Sequence, residues 1–377
     1  MNHRIYADHA ATTYLSPYAL EAMRPYLTDC FGNPSSIHSF GSEAAEAVSS
    51  SRYAIAEILN CEPEFIIFTS GGSEADNHAM KIMRAFAENT GKHTLLLSGI
   101  EHHAVLNSAY ALFNGEFSIS CIDARSDGAV WATDVAKAAE NVRGDICGGS
   151  FMLANNETGS ILDICSICSE IKIRGGLVHT DAVQAAGHIP VDFANLGVDM
   201  MSISAHKFHG PKGVGALICK SELSAEPLIF GGAQEMRRRA GTENVAGIVG
   251  MAAALSESAD RMKRDSAHVS KLRDLLCKGL LSIPGSHVNG GGLPGVLSVR
   301  FDGGDGEALV RSLDLLGIAA SPGAACNSKE VGASHVLISM GLTDKEAAST
   351  VRFSLDASNT ETEILRIISA VNELLRY

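Results

Sequence analysis

The chain has 377 residues, 46% of them hydrophobic, which is enough for a sizeable core and for more than one domain. Its formal net charge is −13 and its one basic cluster, Arg237-Arg238-Arg239, is short, so direct nucleic-acid binding is disfavoured. No apolar run reaches the roughly 18 residues of a membrane helix, and the opening MNHRIYADHAATT has no apolar signal core, so a cytoplasmic enzyme without a membrane partner is expected.

The elements read in chain order as follows. Tyr6-Ala7-Asp8-His9 starts as a short strand and turns into Ala10-Ala11-Thr12-Thr13. Residues 31–38, FGNPSSIH, form a breaker-rich loop. A helix follows, with Ser42 as its expected cap and Ala44, Val48, Ile55, Ile58 and Leu59 facing inward. Residues 65–70 read as a buried strand, and Gly71-Gly72-Ser73 joins it to a helix from Ala75 to about Glu88. Glycines let a backbone approach an anion there, and the free amides of a helix start favour phosphate. Further strands are expected at 94–98, 117–122, 148–154, 176–181 and 198–203, with a helix at 131–142. This alternation implies βαβ units and a mainly parallel sheet covered on both faces.

The nine cysteines are odd in number and irregularly spaced, which argues against a disulfide framework. Cys165 and Cys168 lie in a stretch of helical apolar period with no second CxxC, so both read as small core residues and no metal is expected. Beyond a long helix at 245–281, a glycine-rich stretch surrounds a strand at 295–301, and residues 307–316 read as helix. The final helix opens on the capping box Thr360-x-x-Glu363 and is expected to bury Ile364, Leu365, Ile368, Val371 and Leu375.

Two residues suggest a chemistry. Lys207 stands on a turn just past the apolar run Val198 to Ile203, where partial removal from water lowers an amine's pKa and makes it a nucleophile or base. Asp181 closes the preceding strand, 26 residues earlier. Pyridoxal 5′-phosphate (PLP) requires this pair, a lysine for covalent attachment and an acid for its pyridine nitrogen. Ser73, His102, Asn155, Asp181 and Lys207 all fall at or just past the carboxyl ends of expected strands, where open α/β sheets bind ligands. Cys326 lies in a small-residue loop, SPGAACNSK, outside any apolar period.

HTDAVQ followed by SISAHKFHGPKG resembles the class-V aminotransferase group of fold-type I PLP enzymes, and within it the cysteine desulfurases of the NifS/IscS type. The resemblance extends from YADHAATT through GNPSS, EHHA and RAGTEN to the last helix. It implies an α/β fold with a large PLP-binding domain at 14–260, and a smaller α+β domain from 1–13 and 261–377 carrying the cysteine loop. It implies that Lys207 holds PLP and moves the substrate α-proton, and that His102 lies over the pyridine ring and takes part in proton movement. Asp181 would face the ring nitrogen, with Asn155 and Gln184 at the ring hydroxyl. Gly72, Ser73, Ser204 and His206 would take the phosphate, together with Thr242 from the other subunit of a homodimer.

On the same resemblance, Asn33 and Arg352 would place the substrate and Cys326 would attack its sulfur. The reaction would convert L-cysteine to L-alanine and leave a persulfide on Cys326 for an acceptor protein. Iron–sulfur cluster assembly, tRNA thiolation and DNA phosphorothioation all begin with this chemistry. The chain departs from the family's wording at Pro322 and Ala324, at Arg237 and Asp356 where glycine is usual, and at Leu162-Asp163 in place of Gln-Pro. Selenocysteine lyase, a small-molecule aminotransferase and a partner-dependent sulfur-relay scaffold are the alternative readings.

Overall fold

A computed structural model describes residues 4–142, 145–223, 227–323 and 333–375. The chain opens with β1 (Ile5–Tyr6), α1 (Pro17–Thr28) and α2 (Ser39–Leu59). The next seven strands are β2 (Ile66–Thr69), β3 (Thr94–Ser98), β4 (Ser118–Ile122), β5 (Ile146–Ser150), β6 (Leu177–Asp181), β7 (Met200–Ser204) and β8 (Gly215–Cys219). Between them run α3 (Gly72–Thr90), α4 (His103–Leu112), α5 (Ala132–Asn141), α6 (Ile164–Lys172) and the one-turn α7 (Phe193–Leu196). The long α8 (Val245–Leu281) leads to β9 (Ser286–Val288), β10 (Val296–Phe301), α9 (Gly306–Leu315), β11 (Ile318–Ala319) and β12 (Ser321–Pro322). Then come α10 (His335–Ser339), α11 (Asp344–Ala348), β13 (Thr350–Ser354) and α12 (Glu361–Leu374).

Strands β2 to β8 form one sheet in the order β2-β8-β7-β6-β5-β3-β4. All neighbours are parallel except β8, which runs antiparallel to both β2 and β7. Two reversals cancel, so β2 points the same way as β7, and the carboxyl ends of β2, β3, β5, β6 and β7 share one edge. The strands other than the edge strand β4 are buried at every position. That is why they read as near-continuous apolar runs: helices cover both faces. One apolar cluster joins Ile67, Leu95 and Leu97 to Met80 and Met83 of α3 and Val105 of α4. On the other side, Phe68, Leu96 and Ile203 pack with α2, α6 and the first half of α8.

The order β12-β13-β10-β9 makes a second, antiparallel sheet. Its core draws on Ile5 and Ala7, on Leu272, Leu276 and Leu280 of the second half of α8, and on Ile364, Ile367 and Val371 of α12. The N-terminal segment belongs to this neighbourhood: β1 pairs with β11, and Asp8 bridges to Ser354.

Three local expectations need correction. The α2 cap is His38, whose ring nitrogen accepts from Gly41 N at 3.3 Å, and Ser42 lies inside the helix. Cys168 is buried but Cys165 is exposed, because only the former falls on the inner stripe of α6. In α12, Leu365 is 52% exposed and Ile367 is buried; the stripe follows 364, 367 and 371, a spacing of three to four residues.

Candidate active site

β7 ends at Ser204 and one 3-10 turn, Ala205–Lys207, carries the lysine out of the sheet. The Lys207 amine donates to the carbonyls of Ala10 (2.6 Å) and Ala11 (2.9 Å). Ala10 O also accepts from Gln184 Nε2 at 2.9 Å, so one carbonyl brings Lys207 and Gln184 together. The N-terminal segment is held there from both sides. Ala10 N donates to Ser354 Oγ (2.9 Å), Thr13 N and Oγ1 donate to His206 O (3.0 and 2.8 Å), and His206 Nδ1 meets Thr12 Oγ1 at 3.1 Å. Burial pushes the Lys207 amine down to about 8, with the Arg352 charge adding to it and Asp181 and Asp8 opposing. A substantial share of the amine is therefore neutral near pH 7 to 8.

Asp181 ends β6 and is buried, with Oδ1 accepting from Val183 N at 2.8 Å. Burial pushes its carboxyl up to about 6, against that amide and the Lys207 charge. Arg352, on β13, is 2% exposed. Its Nη2 donates to Asp8 Oδ1 (2.8 Å) and its Nη1 to Asn156 O (2.8 Å), while Nε has no partner among the described residues. Ser321 Oγ donates to the same Asp8 oxygen at 2.9 Å. The guanidinium is thus fixed by two acceptors, and its remaining N–H donors can fork a carboxylate.

The turn after β2 has the form of an anion cradle. Gly71 adopts φ 153° and ψ −177°, a region closed to residues with a side chain, and as the N-cap of α3 it leaves the first amides without a side-chain acceptor. A Cβ on Gly72 would lie 2.9 Å from Val183 Cγ2 and 3.6 Å from Ser204 Cβ, so the cup fits against the Asp181 and Lys207 strand ends. Ser73 is exposed at its rim.

His102 is the N-cap of α4, and its Nδ1 accepts from Ala104 N at 3.1 Å, which leaves Nε2 as the protonated nitrogen. The residue is exposed at the surface. Partial burial of the ring, with the Lys207 charge, pushes it down to about 4, so it stays neutral. Asn155 is fully buried, and its carboxamide builds the local turn: Oδ1 accepts from Glu157 N and Thr158 N, and Nδ2 donates to Ile100 O. Asn33 is exposed and caps its own loop through Ser35 N (2.9 Å). Thr242 lines a separate cavity of about 170 Å3 with Thr69, Ser70 and Gly213. Neither Asn33 nor Thr242 has a contact with Lys207 in this single chain. Cys326 lies outside the described residues. The described ends of its segment are anchored, by Gly323 N to Thr350 O (2.8 Å) and by Ser334 Oγ donating to the buried Glu157.

Residues 5–367 match the family model described as aminotransferase class-V. The chain belongs to that family. A cysteine desulfurase IscS of Clostridium botulinum is 40% identical, over 100% of this chain and 95% of its own length. A cysteine desulfurase IscS of Methanosarcina thermophila is also 40% identical, over 100% and 93%. A solved NifS-like protein superposes with a TM-score of 0.92 at 35% identity, over 99% of this chain and 100% of its own. The structure of SspA in complex with cysteine follows at TM-score 0.82 and 30% identity, over 94% and 100%.

Sequence reasoning missed several residues that build this class-V site. The anchor of Arg352 is Asp8, and the acceptors for Lys207 are backbone carbonyls, which no residue-type reading can name. Asp76, Glu101 and His179 form a buried polar layer below the pocket. Its one sequence signal is polar residues interrupting apolar strands, His179 and Asp181 in LVHTD and Ser202 and Ser204 in MMSIS.

Proposed function

We propose that this chain is a PLP-dependent cysteine desulfurase, converting L-cysteine to L-alanine with a persulfide left on Cys326. The observation that carries the reading is the convergence of a lysine of lowered pKa and a buried aspartate, both on the carboxyl edge of the large sheet, with an arginine of the small sheet anchored through Asp8 of the same N-terminal segment that holds the lysine. The residues fit the cofactor chemically, with an amine to attach it, an acid for the ring nitrogen and a glycine cradle that a Cβ would fill. When bound, PLP supplies an electron sink for charge developing at the substrate α-carbon.

Lys207 holds the cofactor and then moves the α-proton, for which an amine ionising near neutrality is suited. Asp181 keeps a negative charge at the ring nitrogen, and Gln184 and Asn155 stand at the ring hydroxyl side. Gly72, Ser73, Ser204 and His206 take the phosphate, completed by Thr242 of the partner subunit in a homodimer. His102 covers the ring as a neutral imidazole and moves protons at Nε2, since its Nδ1 is held by Ala104 N. Arg352 orients the substrate carboxylate, assisted by Asn33. The Cys326 thiolate attacks the substrate sulfur and takes it as a persulfide, and the carbon left behind gains a proton to give alanine. An acceptor protein then takes the sulfur.

We assign residues 14–260 to a cofactor-binding domain and residues 1–13 with 261–377 to a smaller domain bearing Cys326, and we place the enzyme in the cytoplasm. Among the described residues no helix is long and apolar enough to cross a membrane, and none of their His, Cys, Asp and Glu side chains cluster to hold a metal.

The test is an absorption spectrum of purified protein before and after L-cysteine, with alanine, and sulfide released from the persulfide by added dithiothreitol, assayed in the same tube. A visible cofactor band with equal amounts of both products is expected. Lys207→Ala should lose the lysine-bound band, whereas Cys326→Ser should keep it and lose sulfur release. Parent-rate turnover by Cys326→Ser would remove Cys326 from the reaction.

A further inference from the structure

A buried polar chain lies beneath the pocket and has no role in the reaction as described above. Asp76 projects from the second turn of α3, beyond the Gly71–Ser73 cradle, and is 1% exposed. Its Oδ1 has no hydrogen-bond partner and lies 3.7 Å from His179 Nε2. His179 precedes Asp181 by two residues on β6, so both side chains leave the same face of the strand. On that face His179 stands between two hydroxyls: Nε2 is 2.9 Å from Ser202 Oγ of β7, and Nδ1 is 2.8 Å from Ser150 Oγ of β5. Ser150 Oγ donates on to Glu101 Oε2 at 3.4 Å. The other Glu101 oxygen accepts from Met152 N (2.7 Å) and Ser98 Oγ. Glu101 immediately precedes His102.

The charges around Asp76 are all of one sign. Asp181 faces it from β6 and Glu101 from the loop after β3, and Ser202 of β7 offers a hydroxyl. His179 is fully buried and pushed down to about 3, so it supplies no positive charge. A carboxylate in a dry site with two further acids and no cation is far less stable than the neutral acid. Asp181 differs, because it faces the Lys207 amine and a backbone amide.

We propose that Asp76 is a positioning residue held as a neutral carboxylic acid, which reserves the negative charge beneath the cofactor pocket for Asp181. The Ser202–His179–Ser150 chain supports this. A neutral imidazole between two hydroxyls joins Asp76's neighbourhood to Glu101 by hydrogen bonds and adds no charge to the layer. Asp76 and Asp181 then titrate as a pair: the first proton leaves Asp181, and the second leaves Asp76 only at much higher pH. One end of the chain lies under Asp181 and the other under the turn that carries His102, so the same layer fixes both.

The inference rests on the proposed PLP chemistry, but its first test does not need the cofactor. Infrared spectra of cofactor-free protein labelled with [13C]aspartate, taken at pH 8, report protonated aspartates through their isotope-shifted acid carbonyl band. The wild-type protein should show that band, because Asp76 keeps its proton after Asp181 has lost its own, and Asp76→Asn should lack it. No band in the wild type overturns the proposal, even if the variant fails to fold, and so does a band of equal intensity in the variant. In cofactor-loaded protein, the visible band should show an alkaline inflection in the wild type that Asp76→Asn lacks. The same inflection in both proteins would assign it to another group and overturn the pairing. Absence of a cofactor band altogether, with the infrared result intact, would instead overturn the PLP reading.

Discussion

Arg237 occupies a backbone position suited to glycine, and Arg237→Gly should therefore stabilise the protein. Glu235, Met236 and Arg237 have φ of 48°, 56° and 67°, three consecutive left-handed residues with side chains. The turn is held from outside. The buried Glu235 carboxylate pairs with Arg52 Nη2 (2.7 Å) and accepts from Phe68 N (2.9 Å), and Arg238 N donates to Glu235 O (3.0 Å). Each left-handed non-glycine residue costs about 1–2 kcal/mol, while glycine gives back roughly 0.5–1 kcal/mol in unfolded-chain entropy. Arg237 is exposed and its side chain makes no hydrogen bond or ion pair among the described residues, so the net gain should be about 0.5–1 kcal/mol. With an unfolding entropy of about 2.1 cal/mol/K per residue, that corresponds to roughly 1 °C in Tm for a chain of 377 residues. Differential scanning calorimetry of the parent, Arg237→Gly and Arg237→Ala resolves the effect. Alanine removes the same side chain but keeps the strain, so it should give no gain. Equal gains from glycine and alanine would mean that removal of the guanidinium, and not backbone relief, is responsible.

Three further outcomes are expected. The His209 ring meets the Asp356 carboxylate at 3.0 Å, so Asp356→Asn should cost about 1–3 kcal/mol at pH 7. That hydrogen bond holds the Asp356 pKa below the ordinary range, so the difference should close as the pH falls below about 4, measured by urea unfolding. Asp8→Asn leaves the buried Arg352 guanidinium without its partly buried carboxylate; it should lower stability by about 2–4 kcal/mol and raise KM for L-cysteine more than it lowers kcat in steady-state assays. The cofactor-free protein should be most stable near pH 6.5. Below that, buried neutral histidines such as His179, His9 and His206 bind protons only when unfolded, so stability rises with pH. Above it, Glu157 (about 7) and Glu101 (about 8) keep protons that the unfolded chain has lost, so stability falls. At about 1.4 kcal/mol per unit for each net proton, with Asp76 also keeping its proton in the folded chain and the last of the histidine gain subtracted, the fall to pH 8 is on the order of 2 kcal/mol. A flat or rising stability over that window in urea melts would contradict the assigned protonation states.

The edge that gathers Asp181 and Lys207 was legible because strand ends are legible. Buried parallel strands read as apolar runs, and Asp181 and Lys207 stand where two such runs stop. Gly71-Gly72 was legible as a glycine pair at a strand end, Gly71 for its positive φ and Gly72 for its close approach to Val183. What was hidden depends on pairing. The reversal of β8 follows from which strand edge is free, and five residues, GALIC, carry no direction. The Asp356 partner lies 147 residues away in the Lys207 loop, so the departure from glycine reads in sequence as an altered charge and in the fold as a tie to His209. Asn155 was singled out for the ring hydroxyl by resemblance, and what the sequence hid is that its carboxamide also builds the local turn, through Glu157 N, Thr158 N and Ile100 O.

The N-terminal segment explains why neither sheet alone makes the site. Asp8 fixes Arg352 on the small sheet, Ala10 O receives Lys207 from the large one, and only one residue, His9, separates them. Ala10 also ties back to Ser354 and Gln184, so one short stretch of backbone sets the distance between the arginine and the lysine. Carbonyl oxygens can do this only where side chains are small enough for an amine to approach, which is the physical reason for Ala10-Ala11 at this point. A shift of the small sheet relative to the large one must therefore break a hydrogen bond at Ala10 or at Asp8 before it alters the distance between Arg352 and Lys207.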